Sequence, residues 1–264
     1  EGSLSGCIRT GDIFAESPMP TPVLLLWFVL AGRHRLGLGA PTAVEAPPCP
    51  CAAGCAGTPD HAMLCKSVAS MTTMRHDIEA LAVRRVISRA GCASSMEPTY
   101  RHLRSRGQHA GPEGQRRGDI LTVLPDGRVI IVDIVVTHPA APTYARAAAR
   151  TDGAAAERAA NQKRAEFRSF ADGAQYEFVP FAVESFGRLG QDAQRFISTL
   201  GNVAAASGRV SKSVFVMNAY KDLSCTLQRG NGLMYSRSLF NIARAEGRQF
   251  LPGSDVPLQD DAAL

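Results

Sequence analysis

The run Val129-Ile130-Ile131-Val132-Asp133-Ile134-Val135-Val136 constrains the fold of this chain more than any other stretch, because seven of its eight residues are apolar and β-branched. A strand that is apolar on both faces has to be covered on both faces, which places it at the centre of a sheet layered between helices. Asp133 sits in the middle of it, where an unpaired carboxylate is costly or takes up a proton. Upstream lies a second apolar run, Ile120-Leu121-Thr122-Val123-Leu124, and Pro125-Asp126-Gly127-Arg128 between the two has the turn chemistry of a hairpin. Asp119 opens the earlier strand, so a hairpin can bring Asp119 and Asp133 together. Buried acids placed together usually hold a cation. In the other reading, Asp133 hydrogen-bonds to a helix terminus and Asp119 is a strand-entry acid.

A lysine bears on that choice. From Asp152-Gly153 to about Ala171 the spacing predicts a helix, with Ala156, Ala160, Lys163, Phe167 and Phe170 on one stripe. Lys163 interrupts an apolar face, either as a lysine snorkelling from its edge or as one directed at the two carboxylates. Two acids on adjacent strands and a lysine form the minimal set for metal-dependent phosphodiester hydrolysis. The acids bind the cation, the cation polarises the phosphate and acidifies water, and the lysine offsets developing negative charge.

A separate cluster lies upstream in Cys49-Pro50-Cys51, Cys55, His61 and Cys65: five soft ligands within 17 residues of a chain that holds seven cysteines. Zinc takes four such ligands tetrahedrally, and Gly/Pro-rich loops allow the turns this requires. The competing reading is a disulfide pair, but a histidine among the cysteines favours metal. Cys7, Cys92 and Cys225 stand alone and read as packing thiols.

With 264 residues, 45% of them apolar and 20% charged, the chain can bury a sizeable core as one domain with appendages. It opens on Glu1 rather than methionine, as a fragment or a processed product does. Its most apolar stretch, Val23 to Ala31, has nine residues, short of the ~20 of a membrane helix, and reads as a packing segment; no membrane partner is expected. Gly39 to Pro50 reads as a linker. The net charge is +5, and it is unevenly spread. Lys66 to Gly118 holds ten Lys/Arg against four Asp/Glu, an excess larger than that of the whole chain. Arg75, Arg84, Arg85, Arg116 and Arg117 in this segment are candidate phosphate contacts; the alternative is a solvated basic helix followed by a loop. The helix is expected from Met71 to Gly91, with Met74, Ile78, Leu81 and Ala82 on its apolar face. Downstream, Tyr176 to Val183 reads as a strand, Phe186 to Ala206 as a helix, Lys212 to Gly247 as helical, and Leu251 to Leu264 as an acidic tail. The order helix, strand, strand, helix, strand, helix predicts an α/β fold with a mixed central sheet flanked by helices.

Asp119, then Asp133 in an apolar strand, then a helical Lys163, resembles the PD-(D/E)XK restriction-endonuclease-like core with its lysine displaced onto the following helix. That form is typical of the C-terminal endonuclease of site-specific non-LTR retrotransposons. The stretches Arg75-His76-Asp77, Met96-Glu97-Pro98, Val132 to Pro139, Glu184 to Gly190 and Arg229 to Tyr235 resemble the same family, the last of them its algal and protist versions. Together they cover roughly residues 33 to 257, and their order along one chain is more specific than any one of them. The resemblance implies a metal-dependent DNA endonuclease using Mg²⁺ or Mn²⁺, without reverse transcriptase motifs, acting in the nucleus on target DNA, with the element's RNA as a further partner. It implies Asp119, Asp133 and Lys163 as catalytic residues, Glu97 as a third carboxylate, and a role for His138 beside the site or on the surface. It also implies a zinc knuckle on Cys49, Cys51, His61 and Cys65, with Cys55 as a spare. The domains would run 1–48 (helical segment and linker), 49–65 (knuckle), 66–206 (nuclease core) and 207–264 (helical extension and tail). One position departs from the family: where it carries a tyrosine four residues after the lysine, this chain has Phe167. The alternative function is a decayed, nucleic-acid-binding remnant.

Overall fold

The computed structural model describes residues 48–51, 58–97, 118–171 and 176–247, together with Val29, Gly32, Arg35 and Leu36. Expectations for Cys55, Arg116, Arg117, most of the N-terminal segment and the acidic tail lie outside the described residues.

The architecture is α/β: a four-stranded mixed sheet flanked by helices. In chain order the elements are α1 (Pro59–Leu64), a 3₁₀ turn (Lys66–Val68), α2 (Ala69–Ala90), β1 (Ala93–Met96), β2 (Ile120–Val123), β3 (Val129–Thr137), a short α3 (Ala145–Ala148), α4 (Ala154–Ala171), β4 (Glu177–Glu184), α5 (Gln191–Ala206) and α6 (Lys212–Ala245). The strands lie in the order β1-β2-β3-β4. β1 with β2 and β2 with β3 pair antiparallel, while β3 and β4 are parallel and joined through α4.

β3 is the central strand, as its sequence demands. Its even-numbered side chains Ile130, Val132 and Ile134 join the main core with Val83, Val86 and Ile87 of α2 and Phe196, Ile197 and Leu200 of α5. Its odd-numbered residues face the other layer, where Ile131 meets Phe167 of α4 and Val135 meets Ala156 and Ala160. The small alanines let α4 lie close to the sheet. Gly127, at φ +87°, closes the β2–β3 hairpin in the left-handed region, where a side chain is disfavoured.

Several expectations are corrected. An edge strand, β1, precedes the hairpin; its residues alternate between exposed and half-buried, so it carries no continuous apolar run. The buried stripe of α2 runs through Arg75, Glu79, Ala82, Val83, Val86 and Ala90, while Leu81 lies exposed. α5 starts at Gln191, because Ser185 to Arg188 form a turn that returns to the sheet by Glu184 N–H donating to the Arg188 carbonyl. Finally, α6 is not an appendage beginning at residue 207. Phe215, Ala219, Leu223 and Leu227 of its first half belong to the main core, and Met234 and Tyr235 further along pack with Cys49, Ala62, Met63 and Cys65. One long helix therefore ties the cysteine segment to the sheet domain.

Candidate functional site

Antiparallel pairing sets the first site. Ile120 lies opposite Val132 and Leu121 opposite Ile131, so the next pair outward in that register is Asp119 with Asp133. Partners in register point to one face, the face covered by α4. Lys163, on the third turn of α4 and just past its buried alanines, places its Nζ 2.9 Å from Asp133 Oδ2. Asp133 is 7% exposed. Burial pushes its carboxyl up to about 6, against the pull of the Lys163 ammonium and with an added push from the Asp119 carboxylate. That value still leaves the acid ionised at neutral pH. Burial works against the lysine's charge as well, but Asp133 holds the ammonium above its ordinary range. The structure therefore brings Asp119, Asp133 and Lys163 together from three separate elements.

His76 of α2 also belongs to this cluster, and sequence reasoning assigned it no role. Its Nε2 lies 3.2 Å from Asp119 Oδ2 and its Nδ1 lies 3.1 Å from Asp77 Oδ1. The same Asp119 Oδ2 accepts the Ile134 N–H at 2.5 Å. Its hydrogen bond to Asp119 raises the imidazole to about 9 despite burial, so it is cationic at neutral pH. The one signal available was the stretch Arg75-His76-Asp77, which resembles the nuclease family; His76 stands 43 residues before Asp119 on another element, so no spacing pairs the two.

Other expected members do not join. Glu97 lies between the first helix and the Asp119 strand, exposed and directly after β1. Its backbone N–H donates to the Asp119 carbonyl at 2.8 Å, continuing the β1–β2 ladder, and its carboxylate completes no metal-ligand cluster with Asp119 and Asp133. Its φ of 48° lies in the left-handed region, one residue past the end of β1. Arg75 is not a phosphate contact: it is 3% exposed, with its guanidinium donating to Asn231 Oδ1 at 2.9 Å and lying 3.4 Å from Met63 Sδ. Arg84 and Arg85 do lie exposed on α2. His138 is not a surface residue either. It is 3% exposed, with Nδ1 at 2.7 Å from Ser185 Oγ and Nε2 at 3.5 Å from Asp60 Oδ1. Glu184 anchors structure, since its Oε1 accepts the Ala155 and Ala156 N–H groups and so caps α4. Phe167, one turn beyond Lys163, is buried and stacks on Phe178 with ring centroids 4.1 Å apart and planes 9° from parallel.

The second site is built locally. Thr58 caps α1 by accepting the His61 N–H, and Pro59 starts the helix. His61 and Cys65 then lie one turn apart on one side of the chain. Cys49 Sγ is 3.6 Å from Cys65 Sγ, Cys51 Sγ is 3.4 Å from His61 Nε2, and all four ligand atoms lie within 4.8 Å of one another. Ligands around a tetrahedral zinc are separated by about 3.8 Å (sulfur to sulfur) and about 3.6 Å (sulfur to nitrogen), given bonds near ~2.3 and ~2.05 Å. The 3.6 and 3.4 Å separations match, and 3.6 Å is far beyond a disulfide bond, so no disulfide joins Cys49 and Cys65. Burial pushes the Cys49 thiol up to about 11. A cation among these ligands reverses that preference by stabilising the thiolates. The cluster can hold a zinc ion.

No protein-family model matches the chain, and no curated protein matches it. No helix among the described residues is long and apolar enough to cross a membrane.

Proposed function

We propose that the chain is a divalent-metal-dependent DNA endonuclease whose site is Asp119, Asp133 and Lys163, carried on a PD-(D/E)XK-like core and preceded by a zinc knuckle on Cys49, Cys51, His61 and Cys65. The observation that carries this reading is the 2.9 Å contact of Lys163 with Asp133, on the face where the sheet register also sets Asp119. The helix carrying the lysine follows the strand carrying the acid, the arrangement of the displaced-lysine nucleases of non-LTR retrotransposons that the sequence resembles. A bound Mg²⁺ or Mn²⁺ supplies a Lewis acid at the scissile phosphate and lowers the pKa of its water. The two carboxylates hold that ion. Asp119 is oriented for this by Ile134 N–H and His76 on one oxygen, and its Oδ1 has no hydrogen-bond partner among the described residues. Lys163 offsets charge that develops on the phosphate and keeps Asp133 ionised in its buried position. Exposed Arg84 and Arg85 contribute to the positive surface that attracts DNA.

The test is nicking of supercoiled plasmid with Mg²⁺ or Mn²⁺ against an EDTA control, with Lys163→Ala and Asp119→Ala alongside. Metal-dependent nicking by the parent protein, lost in both variants, supports the reading; nicking that survives EDTA refutes it. Phe167 favours a second reading. The ring is fully committed to packing on Phe178 and brings no hydroxyl to the site, as expected of a nucleic-acid-binding remnant that has lost its activity.

A further inference from the structure

One short contact of the knuckle is not made by its four ligands among themselves. Cys65 Sγ lies 3.0 Å from Ser67 Oγ, closer than the 3.6 Å that separates it from Cys49 Sγ. Cys65 is buried, whereas Ser67 is exposed. An exposed serine hydroxyl can satisfy itself with water; this one turns to sulfur.

The local backbone explains the approach. Cys65 follows α1 in an extended conformation, with φ −71° and ψ 128°. The chain then enters the 3₁₀ turn Lys66–Val68, closed by the Val68 N–H donating to the Cys65 carbonyl at 3.2 Å. A hydroxyl two residues on can fold back over such a turn and bond to the group that opens it. The turn is also tied down from a distant part of the chain. Asn241 of α6 donates through Nδ2 to the Ser67 carbonyl at 3.2 Å, and Met234, Tyr235 and Leu239 of the same helix pack on the cluster that contains Cys49 and Cys65.

A thiol can give or take this hydrogen bond, but a thiolate can only accept it. Zinc takes cysteine as the thiolate, so the Ser67 hydroxyl then has to donate. Hydrogen bonds to an ionised acceptor are roughly twice as strong as neutral ones. Three thiolates also outweigh the two positive charges of the ion, and a donated proton relieves that excess. We propose that Ser67 is a positioning residue for the knuckle metal: its hydroxyl donates to the Cys65 thiolate, orients that sulfur and raises zinc affinity, while Asn241 holds the turn that presents it. The proposal rests on the zinc reading of the knuckle and is independent of Asp119, Asp133 and Lys163.

The test is the zinc affinity of the full chain, measured by competition with a chromophoric chelator, with the absorption spectrum of the cobalt(II)-loaded protein as a second readout. Ser67→Ala, on an exposed side chain that does not threaten folding, weakens zinc binding by about tenfold or more, the usual cost of losing an outer partner of a metal ligand. It also moves the sulfur-to-cobalt charge-transfer band to longer wavelength, because the sulfur lone pairs lose the proton that stabilised them. Ser67→Thr keeps the hydroxyl and retains both the affinity and the band position of the parent. Asn241→Ala keeps the hydroxyl but frees the turn, and costs less affinity than Ser67→Ala. A smaller loss in Ser67→Ala, an unmoved band, a Ser67→Thr variant that behaves like Ser67→Ala, or a larger loss in Asn241→Ala overturns the proposal and leaves the zinc knuckle standing. A parent protein that binds no zinc overturns the knuckle itself, and the proposal with it.

Discussion

The cysteine knuckle and the carboxylate–lysine site are both metal-site candidates, and they differ in how much of the site the protein itself completes. The knuckle offers four ligand atoms within 4.8 Å of one another, two of the pairs at tetrahedral separations, and four such ligands are the set of a structural zinc site. The acidic site offers two carboxylates, a lysine and a histidine, and is open. Mg²⁺ and Mn²⁺ keep several waters and share their coordination with substrate phosphate, so an incomplete ligand set is what such a site requires. A closed site speaks for itself in geometry, while an open one has to be demonstrated by what it does.

The largest effect separating the two should come from metal removal at the knuckle. Metal analysis of the purified protein should find one zinc per chain. Structural zinc contributes on the order of 10 kcal/mol where it organises a small unit, and here Cys49 and Cys65 pack directly on Met234 and Tyr235 of α6. Cys65→Ala, or a strong chelator, should lower Tm by many degrees and release α1 from α6. Removing Mg²⁺ should leave Tm nearly unchanged and stop only nicking. Zinc-free protein with an unaltered melting curve would erase the distinction.

Next in size is Asp133→Ala. If Asp133 is a metal ligand of a DNA endonuclease, it is needed for nicking but not for DNA affinity, which phosphate contacts of exposed arginines would supply independently. Nicking should disappear while the dissociation constant changes less than about twofold, measured at fixed salt. If Asp133 is only the ion-pair partner of Lys163, the substitution should instead lower stability by on the order of 1–3 kcal/mol, as when a buried partner is orphaned. Urea denaturation beside the plasmid assay tells these apart.

The two sites were also unequally legible in the sequence. The knuckle's ligands lie within 17 residues, so spacing exposes them. The central strand was equally plain, because an apolar run with one acid admits few environments. Lys163 could be read only because helical periodicity showed it on an apolar stripe. His76 lay in a stretch that resembles the nuclease family, but its role could not be read, because 43 residues and an intervening strand separate it from Asp119. Arg75 misled for a related reason: a cation on a basic helix looks like surface until α6 is known to cover it. What covers it is Gly230, whose missing side chain leaves room for Arg75; a Cβ there would stand 2.7 Å from Arg75 Cγ.

That close approach yields a prediction on the frame that joins the two regions. Gly230→Ala forces α2 and α6 apart where Arg75 reaches Asn231, and should cost roughly 1–3 kcal/mol through overpacking. The Tm should fall while zinc content stays at one per chain. Unchanged stability would mean that the two helices adjust freely, and that the knuckle is less firmly tied to the sheet than the packing implies.

A smaller effect should appear in the pH dependence of stability. His76 titrates near 6.5 when unfolded and is raised to about 9 in the fold, first by its hydrogen bond to Asp119. A raised folded pKa contributes stability that is fully present below about 6.5 and is lost as pH rises through about 9. His76→Gln should therefore flatten the stability profile between these values in metal-free protein. Bound Mg²⁺ should flatten it too, because a cation on Asp119 competes with the imidazolium. A profile indifferent to both changes would detach His76 from the site.

Phe167→Tyr is the finest test, because it adds one oxygen atom. Phe167 stands one turn beyond Lys163 and stacks on Phe178, so a tyrosine ring can keep that stacking while its hydroxyl extends past the ring edge. The stability change should stay within about 1 kcal/mol, since the aromatic area is conserved and only the hydroxyl needs a partner or water. The outcome for nicking depends on whether Asp119 and Asp133 hold metal. In an active enzyme, a hydroxyl added beside Lys163 should raise the Mg²⁺-dependent rate several-fold at unchanged DNA affinity. In a remnant whose carboxylates bind no metal, the hydroxyl has no chemistry to assist, and parent and variant should be equally silent. A gain in nicking that persists in the Phe167→Tyr, Asp133→Ala double variant would break the argument, because it would locate the hydrolysis outside the carboxylate–lysine site.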